Sequence, residues 1–170
     1  MVEVTVVTGI LATLAGQSGS AYLQAKNKAA ADQCLNNLKQ LYSAIQMVAD
    51  DNDGRLPKAW FFPWKGQQTD SGWQLDPNDP YNLANIVAGR NGSIRKLFVC
   101  PAAPEAWQKL GITYVYNDTL GGRMLDSIPN SPNVWLLMDA NVINMEKFPA
   151  PHIDGYNVLF CDGHVKWVPR

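Results

Sequence analysis

The residues best suited to chemistry lie near the end of the chain, in the stretch VLFCDGHVKW from Val158 to Trp167. Cys161, Asp162 and His164 stand within four residues of one another there. A thiol beside an imidazole suits nucleophilic catalysis, but that chemistry also needs a group that orients the base and donors that hold an oxyanion. The sequence offers no Ser/Gly-rich oxyanion loop and no third orienting group. We therefore expect no catalytic residues and no enzymatic activity.

A metal site is the alternative use of such side chains. The carboxylates and imidazoles on which it would draw are Asp139, His152, Asp154, Asp162 and His164. The spacing of the three cysteines, Cys34, Cys100 and Cys161, contains no CxxC pair, so a zinc knuckle is not indicated. We expect no resident cofactor, with a metal site that includes His152 and Asp162 kept as the alternative.

The acidic run ADDNDGRLP invites a comparison with calcium-binding loops. With Gly54 at the sixth position of an EF-hand loop, Asp51 and Asp53 occupy the third and fifth positions. Ala49 then stands at the first position and Trp60 at the twelfth, and neither can supply the ligand required there. The run is therefore interpreted as the turn that ends a helix. A calcium site that combines Asp51 and Asp53 with other loops remains the alternative.

The pair Asp162-Gly163 lies between two apolar runs, which predicts a β-hairpin with a two-residue loop. In the register that this loop sets, Cys161 faces His164 across the two strands. One face of the hairpin would be entirely apolar, with Val158, Phe160, Val165 and Trp167. We expect that face to pack on the core and Cys161 and His164 to lie on the other side. This pattern favours a structural hairpin over a catalytic or metal-binding one.

The elements that would position these residues begin with a long N-terminal helix. Apolar residues recur at helical spacing in its second half, at Cys34, Leu38, Leu41, Ile45 and Val48. No proline occurs before Pro57, so one continuous helix of about 50 residues is predicted, about 75 Å long. A helix of that length cannot fit inside a compact body of this size, so its N-terminal half must project.

The projecting half has the composition of an assembly or membrane helix. The stretch from Val4 to Ala25 contains no charged residue, and its length of roughly 33 Å is close to the apolar thickness of a bilayer. Small residues such as Gly9 and Gly16 favour close helix–helix packing over exposure to lipid. We therefore divide the chain into a projecting apolar helix, 1–25, and a globular body, 26–170. The body comprises the amphipathic half of the helix, 26–53, and loops with antiparallel strands, 58–170.

The composition of the 170 residues is that of one globular body. Apolar residues make up 46% of the chain, and a net charge of −1 gives no basic surplus that would indicate a nucleic-acid partner. Segments rich in β-branched and aromatic residues at 112–118 and 133–141 predict strands, so the fold class is α+β: one long helix on a small antiparallel sheet with loop-rich insertions. An aromatic group is interpreted as a cap on the core, with a sugar- or peptide-binding surface as the alternative: Trp60, Phe61, Phe62, Trp64 and Trp73.

Several blocks of the sequence together resemble the type IV pilin-like and pseudopilin family. VEVTVVTGILATLA, with Glu3, is similar to the N-terminal helix of that family, and CLNNLKQLYSAIQMVADDNDGRLP is similar to the segment that follows. His152, nine residues and then Asp162-Gly163 match the H-X9-DG ending of the branch that is common in planctomycetes and verrucomicrobia. FVCP and VWLLMDAN resemble parts of its body. The resemblance therefore covers both ends of the chain and several internal blocks.

The resemblance implies a pilin-like fold and a structural, secreted role. Members of the family enter the inner membrane through the N-terminal helix and are processed by a prepilin peptidase. Assembly machinery then draws them into a helical homo-oligomeric filament, which is periplasmic or extracellular on the cell surface. A type IV pilus-like filament subunit is the leading interpretation, and a pseudopilin of a type II secretion system is the second. A carbohydrate- or metal-binding module on a membrane anchor is an alternative of a different class.

The resemblance also assigns roles to individual residues. Glu3 would pair with the N-terminal ammonium of a neighbouring subunit, so the assembly residues are Met1, Glu3, Gly9 and Gly16. In an oxidising periplasm Cys34 and Cys100 would form a disulfide and leave Cys161 free. The resemblance leaves the physical role of His152 and Asp162 open, and we expect the imidazole of His152 to brace the acidic turn at Asp162.

The chain also departs from the family pattern. The family glutamate stands fifth after a basic leader, whereas Glu3 is third here, so we expect the leader and about two residues to precede Met1. The family's helix-breaking proline is replaced by Ser20.

Overall fold

The computed structural model describes residues 2–63, 66–69, 72–89, 92–140, 152 and 155–169, and for 2–20, 66–69, 72–74 and 92 it describes the course of the backbone alone. One long helix and a small antiparallel sheet dominate the described part, so the predicted α+β class is confirmed. The helices are α1 (Val2–Asp50), α2 (Leu83–Ala88), α3 (Gly92–Arg95) and α4 (Glu105–Gln108). Short 3₁₀ turns lie at Lys96–Phe98, Asp118–Leu120, Leu125–Ser127 and Ser131–Asn133.

The strands form two separate sheets. The strands are β1 (Gly66–Thr69), β2 (Gly72–Leu75), β3 (Tyr114–Tyr116), β4 (Trp135–Asp139), β5 (Gly155–Phe160) and β6 (Val165–Pro169). β1 and β2 pair with each other, and the other four form one sheet in the order β3-β4-β5-β6, antiparallel throughout. The strands predicted within 112–118 and 133–141 are confirmed and correspond to β3 and β4.

The second half of α1 lies on the sheet because its apolar residues repeat at the period of the helix. The fully buried positions on this half are Cys34, Leu38, Leu41, Ile45 and Ala49. They contribute to one continuous core with residues of the sheet and of the loops, among them Phe98, Val115, Leu137 and Leu159. The predicted amphipathic stripe is therefore confirmed, and it is the surface by which the helix is attached to the body.

The helix ends at the acidic run, as predicted. Gly54 has a φ of 74°, which favours glycine, and its backbone N–H donates to the carbonyl oxygen of Ala49 at 2.8 Å. Asp51 and Asp53 are exposed in this turn. Among the described residues, no group of three imidazole, thiol or carboxylate ligands includes either of them.

The register of the C-terminal hairpin differs from the prediction by one residue. Leu159 pairs with Val165 and Val158 with Lys166, so the loop is Cys161–Asp162–Gly163 and has three residues. The backbone N–H of Gly163 donates to the carbonyl oxygen of Phe160 at 3.0 Å, and Gly163 has a φ of 89°. A three-residue loop with glycine in the left-handed region is the next most common hairpin connection after the two-residue loops.

This shift turns β5 over relative to β6, because side chains alternate along a strand, so Leu159 rather than Phe160 shares a face with Val165. Leu159 and Cys161 belong to the core, whereas Trp167 is 46% exposed. Phe160 and His164 stack with their ring centroids 4.4 Å apart. The prediction was therefore wrong in placing Phe160 and Trp167 on the core face and Leu159 and Cys161 outside it, whereas Val158 is buried and Val165 packs against the core, as expected.

Candidate functional site

The part of α1 that precedes the body is uncovered. All nine residues from 21 to 29 are exposed, including Tyr22 at 69% and Leu23 at 57%. Backbone geometry continues the helix from there back to Val2. Glu3, Gly9 and Gly16 lie on this helix, but their side chains, and all of Met1, lie outside the described residues.

In the described part of the chain, no helix combines the length and the apolar character needed to span a membrane.

The buried end of α1 carries a covalent attachment to the body. A disulfide joins Cys34 to Cys100, and both residues are fully buried. The bond ties the helix to the segment just before Pro101, and it is the pair that the family resemblance implied. The helix cannot separate from this segment while the bond is intact.

A buried imidazole lies against this disulfide. Nε2 of His152 is 3.4 Å from Sγ of Cys100 and 3.5 Å from Oδ2 of Asp139. His152 is 4% exposed and Asp139 is 1% exposed. Asp139 ends β4, and His152 forms an isolated bridge with Gly155 at the start of β5, so neighbouring strands bring the two side chains together. We name Cys34, Cys100, Asp139 and His152 the disulfide cluster.

Burial determines the protonation states in the disulfide cluster. Burial raises the pKa of Asp139 to about 7, although the hydrogen bond from the backbone N–H of Asn157 at 2.7 Å opposes the rise. Burial lowers the pKa of His152 to about 4. Between these values the folded protein holds the carboxyl group protonated and the imidazole neutral, so the pair is buried without net charge.

Three buried polar atoms in or beside the disulfide cluster lack a hydrogen-bond partner in the described part of the chain. Oδ1 of Asp139, Nδ1 of His152 and Nδ2 of Asn157 are buried and have no hydrogen-bond partner among the described residues. Most buried polar atoms in native proteins have a partner, so three orphaned atoms in one place are unusual. Such a place has more polar capacity than the packing of a core requires.

His152 does not brace the acidic turn, so that prediction was wrong. His152 precedes β5 and Asp162 follows it, and the strand between them spans about 16 Å. The partner of Asp162 is instead His164, whose Nδ1 lies 2.6 Å from Oδ1 of the carboxylate and whose backbone N–H donates to the same oxygen at 3.1 Å. The residues of the H-X9-DG motif therefore lie in two separate parts of the structure. His152 belongs to the disulfide cluster, and Asp162 and Gly163 belong to the hairpin loop.

Only part of the expected metal-binding set comes together. Asp139 and His152 meet, whereas Asp162 and His164 form their own exposed pair. Asp154 lies outside the described residues. The sequence pointed to Asp139 and His152 as separate candidates, but not to their contact with the disulfide. One pattern could have indicated the contact with the disulfide. It consists of a histidine just before one strand, an aspartate at the end of another strand, and two cysteines.

The third cysteine lacks the environment of a nucleophile. Cys161 is a free thiol that is 3% exposed, and burial raises its pKa to about 11. The hydroxyl of Tyr42 donates to its carbonyl oxygen at 3.0 Å, which fixes the loop against α1. The neighbouring imidazole of His164 contacts the carboxylate of Asp162, so it is not positioned as a base for Cys161.

We expect Cys161 to react slowly with thiol reagents in the folded chain. A pKa about two units above the ordinary value leaves about 100-fold less thiolate at neutral pH, and burial lowers the rate further. Maleimide labelling followed by mass spectrometry measures the rate, with the chain in denaturant but still oxidised as the control. Equal rates in the folded and unfolded chain would contradict the buried placement.

The aromatic group is divided between core and surface. Phe62 is buried and packs near Trp107, with ring centroids 5.7 Å apart. Trp60 is partly exposed and meets Tyr81 edge to face, with the ring planes at 62°. Two rings at this angle do not make the flat platform on which a sugar ring stacks. Trp64 and the side chain of Trp73 lie outside the described residues.

Comparison of the chain with models of protein families, with curated proteins and with solved structures finds no match.

Proposed function

We propose that the protein is a structural subunit of a type IV pilus-like filament and polymerises through the N-terminal half of α1. The observation that carries this proposal is the run of nine exposed residues, 21–29. Because successive residues of an α-helix are turned by about 100°, nine of them face every direction around its axis. No side of the helix is covered by the body over this length.

An isolated helix gains little stability in water, since most helices in proteins depend on the packing of one apolar face. Tyr22 and Leu23 expose apolar area that a neighbouring helix would remove from water. Copies of the same helix, arranged around a common axis, would cover it on several sides at once. The uncharged stretch from Val4 to Ala25 extends the surface suited to such packing.

The attachment of α1 to the body suits a subunit that bears load. The helix is held by its buried apolar stripe and by the disulfide between Cys34 and Cys100. Tension along a core of packed helices would then reach the bodies through a covalent bond as well as through packing. In this proposal the subunits rest in the inner membrane, are processed by a prepilin peptidase and are assembled by the pilus machinery into a periplasmic or extracellular filament.

A pseudopilin of a type II secretion system is the second candidate, because the uncovered helix serves a short periplasmic filament equally well. The carbohydrate-binding alternative would use the partly exposed pair of Trp60 and Tyr81, whose tilt makes it the less favoured reading. We propose no enzymatic activity, no nucleic-acid partner and no cofactor for the filament form. The low reactivity expected of Cys161 and the engagement of His164 by Asp162 support the first of these.

Replacing Glu3 with alanine is expected to abolish assembly or slow it at least 10-fold, while the body remains folded. A carboxylate among packed apolar helices is costly unless it is paired, and the N-terminal ammonium of a neighbouring subunit would be its partner. Light scattering of the full chain measures the assembly rate, and near-UV circular dichroism reports on the body.

Glu105→Ala is the matched control for that experiment. Glu105 is an exposed glutamate at the start of α4 that forms a surface pair with Lys109, so its removal deletes the same charge far from α1. This variant should assemble at the normal rate. Normal fibres from Glu3→Ala, or an equal loss in both variants, would refute the role of Glu3.

A further inference from the structure

The disulfide cluster has the composition of a site for a soft metal ion. Sγ of Cys34, Sγ of Cys100 and Nε2 of His152 all lie within 4.8 Å of one another, and all three residues are buried. Two thiolates and one imidazole are the ligand types that zinc prefers in structural sites. Oxygen-preferring cations such as Ca²⁺ and Mg²⁺ are disfavoured by the same set.

The distance between His152 and Cys100 matches one edge of a zinc tetrahedron. Bonds of about 2.3 Å to sulfur and about 2.0–2.1 Å to nitrogen or oxygen place neighbouring ligand atoms about 3.4–3.6 Å apart. His152 Nε2 lies 3.4 Å from Cys100 Sγ. The two sulfurs are closer than the corresponding edge of about 3.8 Å only because they are bonded to each other.

Asp139 lies beside this group of three ligands and is not part of it: its Oδ2 is 3.5 Å from Nε2 of His152, but it is not among the atoms that all lie within 4.8 Å of one another. Its Oδ2 is oriented by the backbone N–H of Asn157 at 2.7 Å, and its Oδ1 has no hydrogen-bond partner among the described residues. When His152 binds a metal through Nε2, its Nδ1 carries the proton, and Nδ1 is likewise without a described partner.

We propose that the reduced chain binds one Zn²⁺ through Cys34, Cys100 and His152, with a water molecule as the fourth ligand, and that the zinc site and the disulfide are alternative states of the same two cysteines. The two states exclude each other, because both use the lone pairs and bonding positions of the same sulfurs. The inference is independent of the filament proposal. It would hold for a chain that never polymerises.

Conversion from the zinc state to the disulfide state needs an oxidant, for which a low-molecular-weight disulfide suffices. The thiolates of Cys34 and Cys100 release Zn²⁺, the sulfur–sulfur bond between them forms, and the bond of the oxidant breaks to give two thiolates. One oxidant molecule is therefore consumed and one Zn²⁺ is released for each disulfide formed. Because the cluster is buried, zinc binding is coupled to folding of the reduced chain.

The test uses the full chain, reduced under anaerobic conditions and refolded with Co²⁺ as the spectroscopic probe. We expect one Co²⁺ per chain, thiolate-to-cobalt charge-transfer absorption and the intense visible bands of a tetrahedral site, all lost when Zn²⁺ is added. Addition of oxidised glutathione should release one Zn²⁺ per chain. The absence of the charge-transfer band, or zinc retained after the disulfide has formed, would overturn the proposal.

The variants separate this site from adventitious binding. His152→Ala should weaken Co²⁺ binding at least 100-fold, as measured by chelator competition. The matched controls are His164→Ala and Asp162→Ala, which remove an equivalent but exposed histidine–aspartate pair. Cys161→Ser should also bind normally, since Cys161 is outside the cluster. Equal losses in the controls and in His152→Ala would overturn the assignment of ligands, and so would loss of the charge-transfer band in Cys161→Ser.

Discussion

Replacing both Cys34 and Cys100 with serine is expected to lower the free energy of unfolding by about 4 kcal/mol. The two cysteines are 66 residues apart in the sequence, and cross-linking them removes the corresponding loop-closure entropy from the unfolded chain. A typical domain has only about 5–15 kcal/mol of stability, so this loss would be a large part of the total. The structure adds a local reason, because the bond holds α1 to the loop at the place where the buried stripe begins.

Urea denaturation of the oxidised wild type and of the double serine variant measures this difference, with a chelator present so that no metal contributes. Cys161→Ser is the control, since it replaces a buried cysteine that forms no bond. Its loss should be clearly smaller than that of the double variant. A difference below about 1 kcal/mol between the double variant and the wild type would mean that the bond contributes little to the fold.

The pair of Asp139 and His152 is expected to give two opposite pH dependences when either residue is replaced in the oxidised chain. The raised pKa of Asp139 contributes stability that is present below pH 4 and lost as the pH rises to about 7. The lowered pKa of His152 contributes stability that is present above pH 6.5 and lost as the pH falls to about 4. In the wild type the two effects largely cancel between these limits.

Asp139→Asn should therefore gain stability relative to the wild type, by roughly 4 kcal/mol as the pH rises from 4 to 7, at about 1.4 kcal/mol for each pKa unit. His152→Gln should instead lose roughly 3 kcal/mol relative to the wild type between pH 4 and 6.5. Unfolding curves of all three chains across this pH range give the two differences. The prediction fails if the two variants shift in the same direction with pH.

The long helix and its end were predictable because both depend on local sequence. Apolar residues at helical spacing from Cys34 to Val48, followed by Gly54 in the acidic run, specify the element and its boundary without reference to the rest of the chain. The strands β3 and β4 were found for the same reason, since β-branched and aromatic residues are concentrated there.

The hairpin register was not predictable, because both faces of β5 are apolar. Val158, Leu159 and Phe160 follow one another, so the alternation that normally selects a face is missing. The observed register is stabilised by a distant residue. The hydroxyl of Tyr42, 119 residues away from Cys161, donates to the carbonyl oxygen of Cys161, and the Tyr42 ring packs against Gly163. A side chain at position 163 would meet the Tyr42 ring at 2.5 Å. Local sequence patterns do not indicate a contact between residues so far apart in the chain.

The disulfide cluster escaped prediction for a related reason. Cys100 and His152 are 52 residues apart in the sequence. Asp139 at the end of β4 and His152 just before β5 come together because β4 and β5 are neighbours in the sheet. The sequence named Asp139 and His152 as chemically capable, and the resemblance implied the pairing of Cys34 with Cys100. Their meeting at one buried point required the tertiary fold.

Cryo-electron microscopy of polymer formed by the purified full chain shows whether copies of the same helix cover residues 21–29 of α1. We expect regular fibres with a core of packed helices, in which Tyr22 and Leu23 are buried between neighbouring subunits and the bodies lie outside. A chain that stays monomeric under all assembly conditions would contradict it. So would fibres held together by their bodies, with residues 21–29 still exposed.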